Sequence, residues 1–185
     1  QTATPSPAAT ARPAAVTQRA APRSLLMLAY GTGLRLSELC HLRVADIDSH
    51  AERMCIRVQQ GKGAKDRYIP LAADVLELLR DWWRLTRVRP WLFPGHGDGR
   101  DPINQATAQK WFQAARADAG ITKSGGIHVL RHCYATHSLE AGVDLFTLSR
   151  WLGHKHVSTT SRYLHLTRPD APDGAKHEPL QLLSA

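Results

Sequence analysis

A chain of 185 residues with 43% hydrophobic content suits one packed domain with a tail at each end. It carries 24 Lys and Arg against 16 Asp and Glu, a formal charge of +8, which favours a polyanionic partner, nucleic acid being the commonest. No apolar run reaches membrane-span length and no signal-peptide pattern stands out. Cys40, Cys55 and Cys133 are odd in number and widely spaced, which excludes a disulfide frame and suits reduced thiols in a cytoplasmic protein.

Residues 1–23 are rich in Ala, Pro and Thr and contain three Arg and no acid, the composition of a disordered or extended linker. Order is expected from Ser24. Leu25, Leu26, Leu28 and Ala29 predict a helix broken at Gly31-Thr32-Gly33, and Leu36, Leu39, Cys40 and Val44 predict a second over Leu36–Val44. Arg35 stands at the junction, with Glu38 one turn on. Residues 53–60 and 65–71 read as two strands joined by Gly61-Lys62-Gly63-Ala64, a hairpin with Lys62 at its tip. Lys65 and Arg67 fall on the returning strand, either on a DNA backbone or solvated.

Val75, Leu76, Leu78, Leu79, Trp82 and Trp83 mark an amphipathic helix over 72–87. A Gly- and Pro-rich loop follows at 89–101. Asn104 is placed to cap a helix that runs to Ala119, with Trp111 and Phe112 in the core and Gly120 as the stop. A helix from about Ile127 ends at Gly142, Asp144 caps the next, which ends at Gly153, and Ser158 caps a short helix carrying Tyr163. Residues 169–185 read as a C-terminal tail, with Leu180, Leu182 and Leu183 able to dock on a neighbour or fray.

Within Ile127–Tyr163, His128 and Arg131 lie one helical turn apart, followed by Leu152-Gly153-His154 and then Tyr163. Cutting a phosphodiester requires charge neutralisation on the non-bridging oxygens, an aimed nucleophile and a proton for the leaving oxygen. Arg35 and Arg131 suit the first task, because a guanidinium is planar, permanently charged and binds phosphate oxygens in pairs. Lys62 on a hairpin suits the last. His128 can take or share the nucleophile's proton, His154 can donate to a phosphate oxygen, and Tyr163 can attack. Each of these residues alone reads more simply as a structural pair, a solvated lysine or a packed aromatic; the set, in this order, does not.

The segments GTGLRLSEL (31–39), GKGAKDRYIPL (61–71), HVLRHCYATH (128–137) and LGHKHVSTTSRY (152–163) resemble the motif set of the tyrosine recombinase, or phage integrase, family, with Xer-like and integron- or transposon-associated integrases nearest. The resemblance covers residues 24–167 and implies an α+β, mainly α-helical catalytic domain (24–168) with a small antiparallel sheet. By the same resemblance Arg35, Lys62, His128, Arg131, His154 and Tyr163 are the catalytic residues, and Glu38 has a supporting role. It implies site-specific recombination through a covalent 3′-phosphotyrosine intermediate, without ATP, metal or other cofactor. It also implies double-stranded DNA as partner, a tetramer on that DNA, and a cytoplasmic, nucleoid-associated location.

Family members usually carry a helical DNA-clamping domain before this one, and only 23 linker-like residues precede the match here. An isolated catalytic domain is therefore expected, binding DNA weakly and with strong salt dependence. Other readings fare worse. His128 and His132 are four apart, as zinc ligands are, but Arg131 lies between them and no Glu follows the first. Lys62 is not followed by Ser or Thr, so a P-loop fails, and the acids are too scattered for a two-metal nuclease. The remaining alternative is an idle DNA- or partner-binding remnant of a recombinase.

Overall fold

The structure is a computed structural model that describes residues 14–59, 66–87, 89–95 and 99–167. The first helix, α1 (Ala14–Thr32), begins well before Ser24. Alanine is the best helix former, and Ala21 continues the stripe of Leu25, Leu28 and Ala29, all buried. The expected linker is thus corrected: residues 14–23 belong to α1, with Pro22 inside it. Residues 1–13, the hairpin tip with Lys62 and Lys65, and the tail 168–185 lie outside the described residues.

Helix α1 is the axis of the domain, packing against α3 (Ala73–Thr86), α4 (Gln105–Asp118) and α5 (Val129–Glu140). From α3 come Val75, Leu76, Leu79 and Trp82; the buried Trp82 indole donates to the Leu92 carbonyl at 2.7 Å, so its one polar atom is satisfied. Phe112 of α4 is buried, and Trp111 packs partly against the same core. Between α1 and α3 the chain forms α2 (Leu36–Cys40) and a 3₁₀ turn at Val44–Asp46. Helix α2 is shorter than the Leu36–Val44 expected, because Asp46 accepts from the Arg43 backbone amide at 2.9 Å and starts a separate turn.

Three short antiparallel strands follow in the order β1 (Ile47–Asp48), β2 (Cys55–Val58) and β3 (Arg67–Pro70). The β2–β3 hairpin is as expected, with shorter strands; β1 was not anticipated. Its register pairs Ile56 with Ile69 and Val58 with Arg67. Alternation then puts Ile56, Val58 and Ile69 in the core, and Arg67 with them. This residue is therefore a buried cation, 8% exposed, and not a solvated strand charge or a DNA-backbone contact.

Asn104 caps α4 and Asp144 caps α6 (Leu145–Leu152), each through side-chain bonds to the first-turn amides. Ser158 is the first residue of α7 (Ser158–Ser161), whose capping position is Val157, and Tyr163 lies in the 3₁₀ turn Arg162–Leu166. Tyr134, Ala135, Leu148, Leu152 and Tyr163 make a second, smaller core beside the main one. No described helix is long and apolar enough to cross a membrane.

Two glycines separate backbone from packing demands. Gly33 (φ +60°) and Gly142 (φ +85°) both sit in the left-handed region, but a Cβ on Gly33 would stand 2.4 Å from Cδ1 of Tyr134, whereas one on Gly142 would meet nothing within 4 Å. Gly142→Ala should cost about 1–2 kcal/mol of backbone strain. Gly33→Ala should cost roughly 2–5 kcal/mol, adding overpacking to that strain. Urea denaturation of the two variants checks the order.

Candidate active site

The site is built on the C-terminal end of α6. An α-helix leaves its last four carbonyls without intrahelical donors. Here the chain turns on Gly153 (φ +65°), whose amide donates to the Arg150 carbonyl while the His154 amide donates to that of Ser149, both at 3.1 Å. That is the Schellman closure, and it leaves the carbonyls of Trp151, Leu152 and Gly153. Each of the three receives an arginine. Arg67 Nε donates to Trp151 at 2.9 Å, Arg131 Nη2 to Leu152 at 2.7 Å, and Arg35 Nη2 to Gly153 at 2.7 Å. A Cβ on Gly153 would come within 2.9 Å of the Arg67 guanidinium carbon, so glycine is demanded there by both backbone and space.

The three cations come from β3, α5 and the start of α2. Glu38 ties two of them together. Its carboxylate accepts from Arg67 Nη2 at 2.7 Å, from Arg35 Nη1 at 2.9 Å and from the Arg35 backbone amide at 2.8 Å. Burial pushes the Glu38 carboxyl up, but the Arg67 bond and charge, with the two bonds from Arg35, hold it below its ordinary value. Arg131 is 3% exposed and also donates Nη1 to the Gly33 carbonyl at 2.7 Å, joining the GTG turn to the site. Burial and the nearby Arg35 push its guanidinium down to about 10, so it stays charged at neutral pH. The Arg35 side chain, 40% exposed, is the one of the three that reaches solvent.

His154 lies against this cluster, with Nε2 3.0 Å from Arg131 Nη2 and Nδ1 2.8 Å from the fully buried Thr160 hydroxyl. Burial, then Arg131, Arg35, Arg162 and Arg67, push its imidazole down to about 4, so it is neutral at pH 7. Since a guanidinium only donates, Nε2 accepts here and the proton sits on Nδ1, facing Thr160.

Tyr163 is buried in the small core, its hydroxyl 2.9 Å from Nδ1 of His132. His128 does not touch it. Its ring stands edge-on to that of His132, centroids 5.0 Å apart, at the exposed start of α5. The structure therefore brings Arg35, Arg131 and His154 together, sets Tyr163 against His132, and keeps His128 one ring away from the tyrosine. Lys62 falls outside the described residues. Sequence reasoning gave no catalytic role to Arg67, His132 or Thr160. Only His132 carried a signal, standing four residues after His128 on the same helix face. Among the described residues no group of three or more His, Cys, Asp or Glu side chains could hold a metal ion.

Because the Glu38 carboxyl is depressed in the fold, its contribution to stability is complete above the ordinary value of 4.5 and disappears as the pH falls through its lower folded value. Glu38→Gln should lose about 2–3 kcal/mol at pH 7, less than a fully buried pair because Glu38 keeps some solvent contact. The gap from wild type should narrow below about pH 4.5, read by urea denaturation across the pH range.

The sequence pattern of the phage integrase family matches residues 7–169. A Sinorhizobium fredii protein, y4qK, is 45% identical over 147 residues, 77% of this chain and 46% of that one. Tyrosine recombinase XerA of Pyrococcus furiosus is 37% identical over 147 residues, 78% of this chain and 50% of its own. Among solved structures, XerH site-specific recombinase bound to palindromic difH substrate superposes with a TM-score of 0.72 at 30% identity, covering 82% of this chain and 44% of that one. The chain thus spans about half the length of the curated relatives it matches. With Arg35, Arg67, Arg131 and His154, one from each of the four motifs, gathered at one helix end and the family pattern running through all of the described residues, this chain belongs to the phage integrase, or tyrosine recombinase, family.

Proposed function

We propose that this chain is the catalytic part of a site-specific DNA recombinase that cuts and rejoins strands through Tyr163. The observation that carries the reading is the gathering of Arg35, Arg131 and His154 at the end of α6, with Tyr163 bonded to His132, the residue after Arg131. XerH, which shares the fold, is seen with its difH substrate in a post-cleavage complex.

In the proposed reaction Tyr163 Oη attacks the scissile phosphorus. The bond from phosphorus to the 5′ oxygen breaks, leaving a 3′-phosphotyrosine and a 5′-hydroxyl. A 5′-hydroxyl of the partner duplex later attacks that ester and restores the tyrosine. One phosphate ester replaces another, so neither ATP nor a metal is required. Arg35 and Arg131 neutralise the non-bridging oxygens. Lys62 protonates the leaving oxygen, and His128, exposed at the rim, shares in proton transfer. His154 donates from Nε2 to a phosphate oxygen, for which its proton must move from Nδ1. Thr160 permits this, because a hydroxyl can donate to Nδ1 as readily as accept from it. Two rounds of exchange in a DNA-bound tetramer recombine two duplexes.

A DNA duplex nicked just beyond the scissile phosphate, whose short released fragment carries the 5′-hydroxyl away, traps the intermediate. Wild type should give an SDS-resistant adduct mapping to Tyr163 and unaffected by EDTA, and Tyr163→Phe should give none while still binding DNA. Binding without an adduct from wild type would mark an idle remnant instead. Affinity should fall linearly in log–log terms with salt, because phosphate contacts dominate it. A salt-insensitive complex contradicts that.

A further inference from the structure

The nucleophile's proton needs a destination, and His132 is the side chain in contact with the hydroxyl that carries it. We propose that His132 is the general base of strand cleavage, taking the Tyr163 proton on Nδ1 and returning it when the strand is rejoined. The inference rests on the recombinase reading of Tyr163 and gives a role to His132, which lies within the HVLRHCYATH segment but received none from the resemblance.

The contact is geometrically ready. His132 Nδ1 and Tyr163 Oη are 2.9 Å apart, within the 2.6–3.2 Å over which a base removes a proton directly. The tyrosine is 3% exposed, so water does not compete freely for the same proton. His132 directly follows Arg131 on α5.

The groups facing His132 are His128 and Arg131 from its own helix and Arg162 and Tyr163 from the last 3₁₀ turn. Burial lowers the affinity of its imidazole for a proton, and Arg131 and Arg162 lower it further, so the ring is neutral and able to accept near pH 7. His128 is in reach of the His132 ring but makes no bond to Tyr163, and its exposed position suits an onward proton acceptor better than the first one.

The step balances. The Tyr163 O–H bond breaks and its proton passes to His132 as the oxygen–phosphorus bond forms. The phosphorus–O5′ bond breaks, and the 5′ oxygen is protonated from the leaving-group side. In rejoining, the His132 imidazolium gives the proton back to the departing tyrosine oxygen, so both half-reactions depend on it.

His132→Gln keeps a hydrogen-bonding group of similar reach beside Tyr163 but cannot take up a proton, so it separates a base from a mere strap. With wild-type DNA affinity and melting temperature, the variant should form adduct on the nicked duplex about 10²-fold or more slowly at pH 7. Its rate should climb steadily with pH where wild type levels off, and imidazole should restore His132→Ala in part. A 5′-bridging phosphorothiolate, whose sulfur leaves without a proton, should rescue a defect at Lys62 but not the defect at His132. A His132→Gln rate within threefold of wild type, or faster as expected if the contact only stows the tyrosine, overturns the assignment. So does full rescue by the phosphorothiolate. An inactive wild type overturns the recombinase reading itself, whereas an active wild type with an equally active His132→Gln overturns only the base.

Discussion

Three guanidinium groups on three consecutive carbonyls are the interaction from which the rest of the site follows. The end of α6 offers partial negative charge and unsatisfied acceptors, and Arg67, Arg131 and Arg35 reach it from three distant parts of the chain. Each bond holds its own arginine, but together they hold the strand, the two helices and the Leu-Gly-His turn in one arrangement. The Schellman closure on Gly153 makes this possible, because it consumes two carbonyls with backbone amides and leaves the next three facing outward.

Crowding cations in this way is unfavourable unless negative charge is near. Among the described residues that charge comes from the Glu38 carboxylate, shared by Arg35 and Arg67, supplemented by the carbonyl dipoles of α6 and of Gly33. Burial first, and then the remaining positive charge, hold His154 neutral and make Arg131 bind its proton less firmly than an ordinary arginine. A phosphate entering beside Arg35 would meet positive potential already assembled, with no reorganisation needed to create it.

Most of the elements were legible because their signals are local. Apolar periodicity marked α3 and the Leu25–Ala29 stretch of α1, and Asn104 and Asp144 cap the helices they announced. The motif residues were legible as a set, although nothing local says that Arg35 and Arg131 meet on a third element. What escaped depends on tertiary context. Arg67 reads as a DNA-backbone contact or a solvated strand charge until the hairpin register turns it inward. Thr160 is an ordinary helix threonine until His154 folds onto it, and the partner of Tyr163 is fixed only by how the last turn lies on α5. The start of order at Ser24 missed the extension of α1, because Pro22 and the small alanines look like linker when nothing shows that Ala21 has a core to enter.

The geometry of α6 also bears on which changes of length the chain tolerates. Inserting or deleting one residue anywhere in its eight would rotate the helix end by about 100° and shift it by about 1.5 Å, turning all three acceptors away from the arginines at once. The turn after α4 has no such constraint: a Cβ on Gly120 would meet nothing within 4 Å. Variation among descendants of this fold should therefore gather in such connections, while α6 admits exchanges of side chain but none of register.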